Sequence, residues 1–164
     1  MALDTTIGGA SADSYGTLAE YLAYVDDQGL TASGCDKEDE QDLRKATVIL
    51  DRDNEYKGLR QYKVQIREFP RVWMGLINGY EIDPDTIPLD IKHAQFELAV
   101  LLRGGLNPHA TIEGAVKIER VKAGPVESET EYAGSLGRPR LVALEGLLRP
   151  YLIAGHGQQR LVRG

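Results

Sequence analysis

Between Pro88 and the pair Gly104–Gly105 the chain places Ile91, Ala94, Leu98, Leu101 and Leu102 at helical spacing, with a start signal before them and a stop signal after. Proline fits the first turn of a helix because its missing N–H is not needed there. Glycine ends one because it adopts the left-handed backbone of the cap without strain. This amphipathic segment predicts a helix that must bury one face, so the chain needs other helices to cover it. Period two marks a later region. In "PVESETEY", Pro125 to Tyr132, Val126, Ser128, Thr130 and Tyr132 share one parity and Glu127, Glu129 and Glu131 the other. With "AVKIERVKA" before it and Gly124 between, the stretch predicts an antiparallel hairpin near residues 115–132 with three carboxylates on one face.

The rest of the chain reads as shorter helices and punctuation. "TLAEYLAYVDDQG" opens on Thr17 and Glu20, a capping box, carries Leu18, Tyr21, Leu22 and Val25 on one face, and stops at Gly29. A longer helix follows, with Asp36 expected as its cap, acids Glu38, Asp39 and Glu40 in its first turn, and a stripe of Leu43, Ala46, Ile49 and Leu50. The segment from Tyr56 to Pro88 is broken at Gly58, Pro70, Gly79, Pro84 and Pro88 and predicts a packed loop with two short strands or turns. Near the end, "RPRLVALEGLLRPYL" predicts a short helix with Leu141, Leu144, Leu147 and Leu148 inward, ended by Pro150. The fold expected is mainly α with a small β-hairpin, a short helical bundle with extended N- and C-terminal arms. Its parts are an arm over residues 1–12, a helical domain over 13–154, and an extended tail over 155–164.

At 164 residues, with 42% hydrophobic and 27% charged side chains, the chain is long enough to bury a core without disulfides. Cys35 is the only cysteine, which suits a reducing compartment. No apolar run reaches the ~20 residues of a membrane span, and the N-terminus lacks the basic start and apolar centre of a signal peptide. The expectation is a protein assembled in the cytoplasm, with no membrane partner. Net charge is −6, and it is unevenly spread: Arg138 to Gly164 holds five basic residues and one acid, which leaves −10 on residues 1–137. An acidic body is poorly suited to gripping a phosphate backbone.

The sequence carries no recognisable catalytic or cofactor signature. "DRDNEYKG" begins like a calcium loop, but its glycine falls two places late and no acid closes it. His93, His109 and His156 are too scattered for a metal pair, and the Gly-rich "GGLNPHATIEG" lacks both phosphate-loop patterns. The expectation is no enzyme, no metal and no cofactor. Tyr15, Tyr21, Tyr24, Tyr56, Tyr62, Trp73 and Tyr80 offer two readings: a platform for stacked bases, or core aromatics at helical spacing. Lys57, Arg60, Lys63, Arg67 and Arg71 form the one basic-leaning stretch among them.

The strings "ADSYGTLAEYLAYV", "LRKATVILDR", the "YKG" and "FPR" turns, "IPLDIKHAQFELA" and the hairpin followed by "LVALEGLLRPYL" are in order here. Over residues 12–153 this order resembles a family of tailed-phage head-tail adaptors, also described as DnaT-like single-stranded-DNA-binding proteins. Phe69 stands where a Trp commonly precedes "PR". The resemblance implies a helical connector forming a dodecameric ring under the portal, in the virion at the head-tail junction. Its partners would be the portal protein, neighbouring subunits, the next tail or stopper protein, and genomic DNA passing through without specific binding. The alternative is a replication accessory protein that binds single strands.

Two candidate sites follow. Arg160, Leu161, Val162 and Arg163 combine charge with apolar anchoring and are expected to dock on the portal or a neighbouring subunit. Glu127, Glu129 and Glu131 are expected to line the DNA channel, with Lys117, Glu119 and Lys122 available across the hairpin; the alternative for them is a solvated face.

Overall fold

The computed structural model describes residues 2–108, 116–122, 127–132 and 142–153, and among them are four helices and two small antiparallel sheets, a fold that is mainly α with a β-hairpin. Helix α1 is Leu18–Asp27, α2 is Asp36–Asp53, α3 is Leu89–Arg103 and α4 is Val142–Leu148, which runs on into a 3₁₀ turn, Arg149–Tyr151. The pairs are β1 (Leu59–Arg60) with β2 (Arg71–Val72), and β3 (Val116–Lys122) with β4 (Glu127–Tyr132). Residues 107–141, which hold the hairpin, form a unit apart from the helical body.

The helix ends obey their local chemistry. Thr17 and Glu20 close the expected capping box on α1. At its other end Gly29 takes φ +64°, and the N–H groups of Gly29 and Leu30 return to the carbonyls of Asp26 (3.1 Å) and Val25 (2.8 Å). This Schellman closure recurs on α3, where Gly105 and Leu106 donate to Leu102 and Leu101, both at 3.1 Å. One cap differs from expectation. Cys35, not Asp36, is the N-cap of α2, and it makes no side-chain cap bond. Its place is held by Ser33, whose Oγ accepts from the Cys35 N–H and donates to the Cys35 carbonyl, both at 2.8 Å. Asp36 is therefore the first helical residue, where its charge still favours the helix N-terminus.

The core lies where α3 packs on α2, α1 and α4. Leu43, Ala46 and Leu50 of α2 meet Ile91, Ala94, Leu98 and Ala99 of α3, while Tyr21 and Val25 enter from α1 and Leu144 and Leu148 from α4. Each fully buried Leu or Ile contributes roughly 2 kcal/mol through surface removed from water. Leu22 and Leu101 are exposed, contrary to the stripes read from the sequence, and Ile49 is half-buried. Tyr24 turns inward in place of Leu22, its ring 5.6 Å from Phe96 and 4.6 Å from His93. A second aromatic centre forms around Phe69, with the rings of Tyr56, Tyr15 and Tyr151 packed edge-on at 4.9, 6.0 and 6.2 Å. It fastens the Tyr56–Pro88 segment to the helices.

The opening residues carry no helix or strand, yet they lie against the body. Asp4 and Asp13 exchange bonds, Ile66 N–H reaches the Gly9 carbonyl (3.4 Å), and Arg67 Nε donates to the Ala12 carbonyl (2.9 Å). Within the core runs a polar seam. Gln95, fully buried, accepts from the Gly16 N–H at 3.0 Å, and its Nε2 lies within reach of Ser14 Oγ (2.7 Å), Thr47 Oγ1 (2.8 Å) and the Leu43 carbonyl (3.1 Å). The seam thus ties the entry to α1, the middle of α2 and α3 together.

Candidate interaction surface

The body is acidic, and most of its cations are already engaged. Residues 2–106 hold nineteen acids against eleven Lys and Arg. Arg103 bridges Glu38 (3.3 Å), Asp42 (2.6 Å) and Asp39 (3.7 Å), Arg44 holds Asp13 (2.6 Å), and Lys92 holds Glu20 (2.6 Å). The basic-leaning stretch behaves the same way. Arg60 and Arg71 share Glu68, Arg67 reaches Asp51 (3.5 Å), and Lys57 Nζ donates to the Pro150 carbonyl (2.8 Å). Arg71 is buried and also donates to the carbonyls of Lys57, Tyr56 and Gly58. Lys63 is exposed. These arginines build the fold of the loop, which leaves their charge little reach toward an external phosphate.

Burial shapes the titration of this loop's anchor. Asp51 sits at the end of α2, accepts from the Tyr15 hydroxyl and faces Arg67. Desolvation pushes its carboxyl up to about 6 against the opposing pull of Tyr15 and Arg67. The same burial, with Asp51 beside it, holds the Tyr15 phenol well above its ordinary range. Tyr21 is pushed up to about 12 by burial first and by Asp39 second. Asp51 opens the calcium-like string of the sequence, and its oxygens are committed to Tyr15 and Arg67. Among the described residues no group of three His, Cys, Asp or Glu is placed to hold a metal ion.

The aromatics divide between core and surface. Tyr15, Tyr21 and Tyr56 are buried, and Tyr24 is half-buried. Trp73, Tyr80 and Leu76 are 82%, 78% and 66% exposed. They surround a turn in which Ile77 and Tyr80 exchange both backbone bonds (2.9 and 3.0 Å) across Asn78 and Gly79, at φ +53° and +88°. Both central residues are left-handed, which fits a type I′ hairpin turn and explains the Asn-Gly pair. The Asn-Gly pair is the local signal for this turn, within the stretch expected as a packed loop with two short strands or turns. Trp73 is itself at φ +56°, a backbone that a bulky side chain adopts only against strain. Beside it lies an open groove of about 470 Å³, lined by Val72, Trp73, Met74 and Ile82 together with Arg71 and Glu81.

Of the expected sites, the carboxylate row falls in β4. Its register sets Glu127 opposite Lys122, Glu129 opposite Arg120 and Glu131 opposite Ile118. Lys117 and Glu119 are therefore not the facing residues: Glu119 stands opposite Thr130, and Lys117 lies at an irregularity between Val116 and Ile118. Pairing joins odd-numbered β4 residues to even-numbered β3 residues here, so Arg120 takes the place that parity denies to Lys117 and Glu119. Side chains of both strands lie outside the described residues, as do Arg160, Leu161, Val162 and Arg163.

A small mainly α protein with an acidic body, a separate β-hairpin unit and an exposed aromatic turn is the class these features define. The chain belongs to the family described as "Putative DnaT-like ssDNA binding protein", whose model matches residues 1–164. No curated protein and no solved structure matches the chain.

Proposed function

We propose that the chain is a structural subunit of a tailed-phage head-tail junction, assembling as a ring beneath the portal and passing the genome through its channel. The observation that carries this reading is the state of the cations. On a body of net negative charge, Arg44, Arg60, Arg67, Arg71, Lys92 and Arg103 are spent on internal ion pairs. Such a surface repels phosphate and suits a conduit that must not hold DNA. The exposed Trp73, Leu76 and Tyr80 supply what a subunit needs instead, an apolar surface for protein contact. In this reading Glu127, Glu129 and Glu131 face the channel, the C-terminal segment docks, and no residue is catalytic. The site of action is the virion, after assembly in the host cytoplasm.

A second reading, binding of single-stranded DNA, is favoured by the family description and by the same exposed rings, since bases stack on aromatic side chains. Two measurements on the purified chain separate them. Co-sedimentation with the cognate portal, abolished by deleting residues 155–164, is the result expected of the junction subunit. Tight, salt-sensitive retention of an oligothymidylate, with no portal binding, would replace that reading by the second.

A further inference from the structure

We infer that the groove beside Trp73 receives the C-terminal segment of a neighbouring copy, with Leu161 and Val162 in the groove and Arg160 and Arg163 beside Glu81 and the acids that follow it. This rests on the reading of the chain as a self-assembling subunit, and it names the contact. The groove is lined by the apolar Val72, Met74 and Ile82 and by two charged residues, Arg71 and Glu81. Glu81 lines it, and Asp83 and Asp85 are exposed next to it. Arg71 is buried with its guanidinium held by Glu68 and three carbonyls, which leaves Glu81 as the lining charge open to a ligand. A complementary ligand therefore carries cations flanking small aliphatic side chains, which is the order Arg160-Leu161-Val162-Arg163.

Chain direction favours a neighbour over the chain's own segment. The last described residues pair antiparallel with the stretch after α2: Lys57 N–H donates to the Tyr151 carbonyl (2.8 Å) and Ile153 N–H to the Glu55 carbonyl (3.0 Å), with Tyr56 opposite Leu152. From Tyr151 to Ile153 the chain thus advances from Lys57 toward Glu55. That heading leads away from Gly58, β1 and the β2 edge that builds the groove. Trp73 adds an anchor. A large indole held out on a left-handed backbone gains most when a partner covers it.

Trp73 is the only tryptophan, and residues 154–164 contain no Trp, Tyr or Phe, so indole emission reports this contact without labels. A synthetic peptide of residues 154–164 is titrated into the full chain. The expected result is a saturable shift of emission to shorter wavelength. It should be lost in the E81K/D83K variant and regained there with a peptide in which both arginines are glutamate. No shift on the wild-type chain, or a shift indifferent to both charge reversals, overturns the groove assignment and leaves portal docking to be judged separately. Short-wavelength emission at every chain concentration, abolished by R160E/R163E in the full chain, would show the chain's own segment in the groove and overturn the neighbour. A shift with oligothymidylate and none with the peptide would overturn both this contact and the junction reading.

Discussion

Single residues carry two of the sharper consequences. Gln95 stands in an apolar stripe, and only the assembled fold shows why: Gly16 N–H, Ser14, Thr47 and the Leu43 carbonyl converge on it from two other segments. Gln95→Leu keeps volume and apolar contact but leaves the buried Gly16 N–H without its acceptor. A loss of about 2–3 kcal/mol is expected in urea unfolding, mostly the cost of that orphaned polar group. Asp51 gives a pH dependence. Burial raises its carboxyl to about 6, so the folded state holds the proton more tightly than the unfolded one. The stability this adds is fully present below the unfolded value near ~4 and is lost as pH rises through about 6. Two units correspond to roughly 3 kcal/mol at most. Unfolding free energy measured from pH 4 to pH 7.5 should therefore fall with a component that Asp51→Asn removes. An unchanged profile in that variant would place the dependence elsewhere.

At the scale of elements, Gly58 is the most exacting joint. It sits at φ +70° between Tyr56, which pairs with Leu152, and β1, and a Cβ there would overlap the Val72 carbonyl oxygen. Gly58→Ala has to move the β1–β2 pair as well as strain its own backbone, so it should cost more than about 1 kcal/mol. It should also alter Trp73 emission, because β2 leads directly into Trp73. Thr17→Ala tests a simpler joint, the α1 capping box, and should lower stability by ~1 kcal/mol with emission unchanged. These joints mark how far the sequence could be read. Capping boxes, closing glycines and apolar repeats are local chemistry, so the helices were legible to within a residue or two, the cap at Cys35 being one residue off. Leu22 and Tyr24 show where locality fails. Both lie on α1, and the choice of which turns inward was made by Phe96 and His93 on a helix some seventy residues away. The loop was harder still, since Arg71 and Gln65 are polar residues buried by partners, Glu68 among them, that the sequence does not reveal. Within it, the Asn78–Gly79 pair was a plain hairpin signal, muted by flanks too short to alternate.

For the whole molecule, the distribution of charge is the property that separates the functional readings. The excess of acids lies on the helical body, residues 107–141 are balanced at five acids and five bases, and residues 154–164 carry two arginines and no acid. The register of the hairpin refines what its glutamates can be asked. Glu127 and Glu129 face Lys122 and Arg120, while Glu131 faces Ile118. Changing all three to lysine puts like charges opposite at two positions, at ~0.2–1 kcal/mol each within the hairpin. Residues 107–141 form a compact unit of their own, so the helical body should melt as before. A triple change to glutamine gives the control, removing the carboxylates without creating that repulsion. If the row lines a channel, many copies of the lysine variant would bind the passing backbone. Genome release should then slow in virions carrying it, recover as salt screens the attraction, and stay close to normal with glutamine. Release at the ordinary rate from virions shown to contain the lysine ring would make the carboxylates a solvated face whose partners are Lys122 and Arg120. An equal defect in the glutamine variant would instead mean that the hairpin matters for its cross-strand pairing, with no part played by repulsion of DNA.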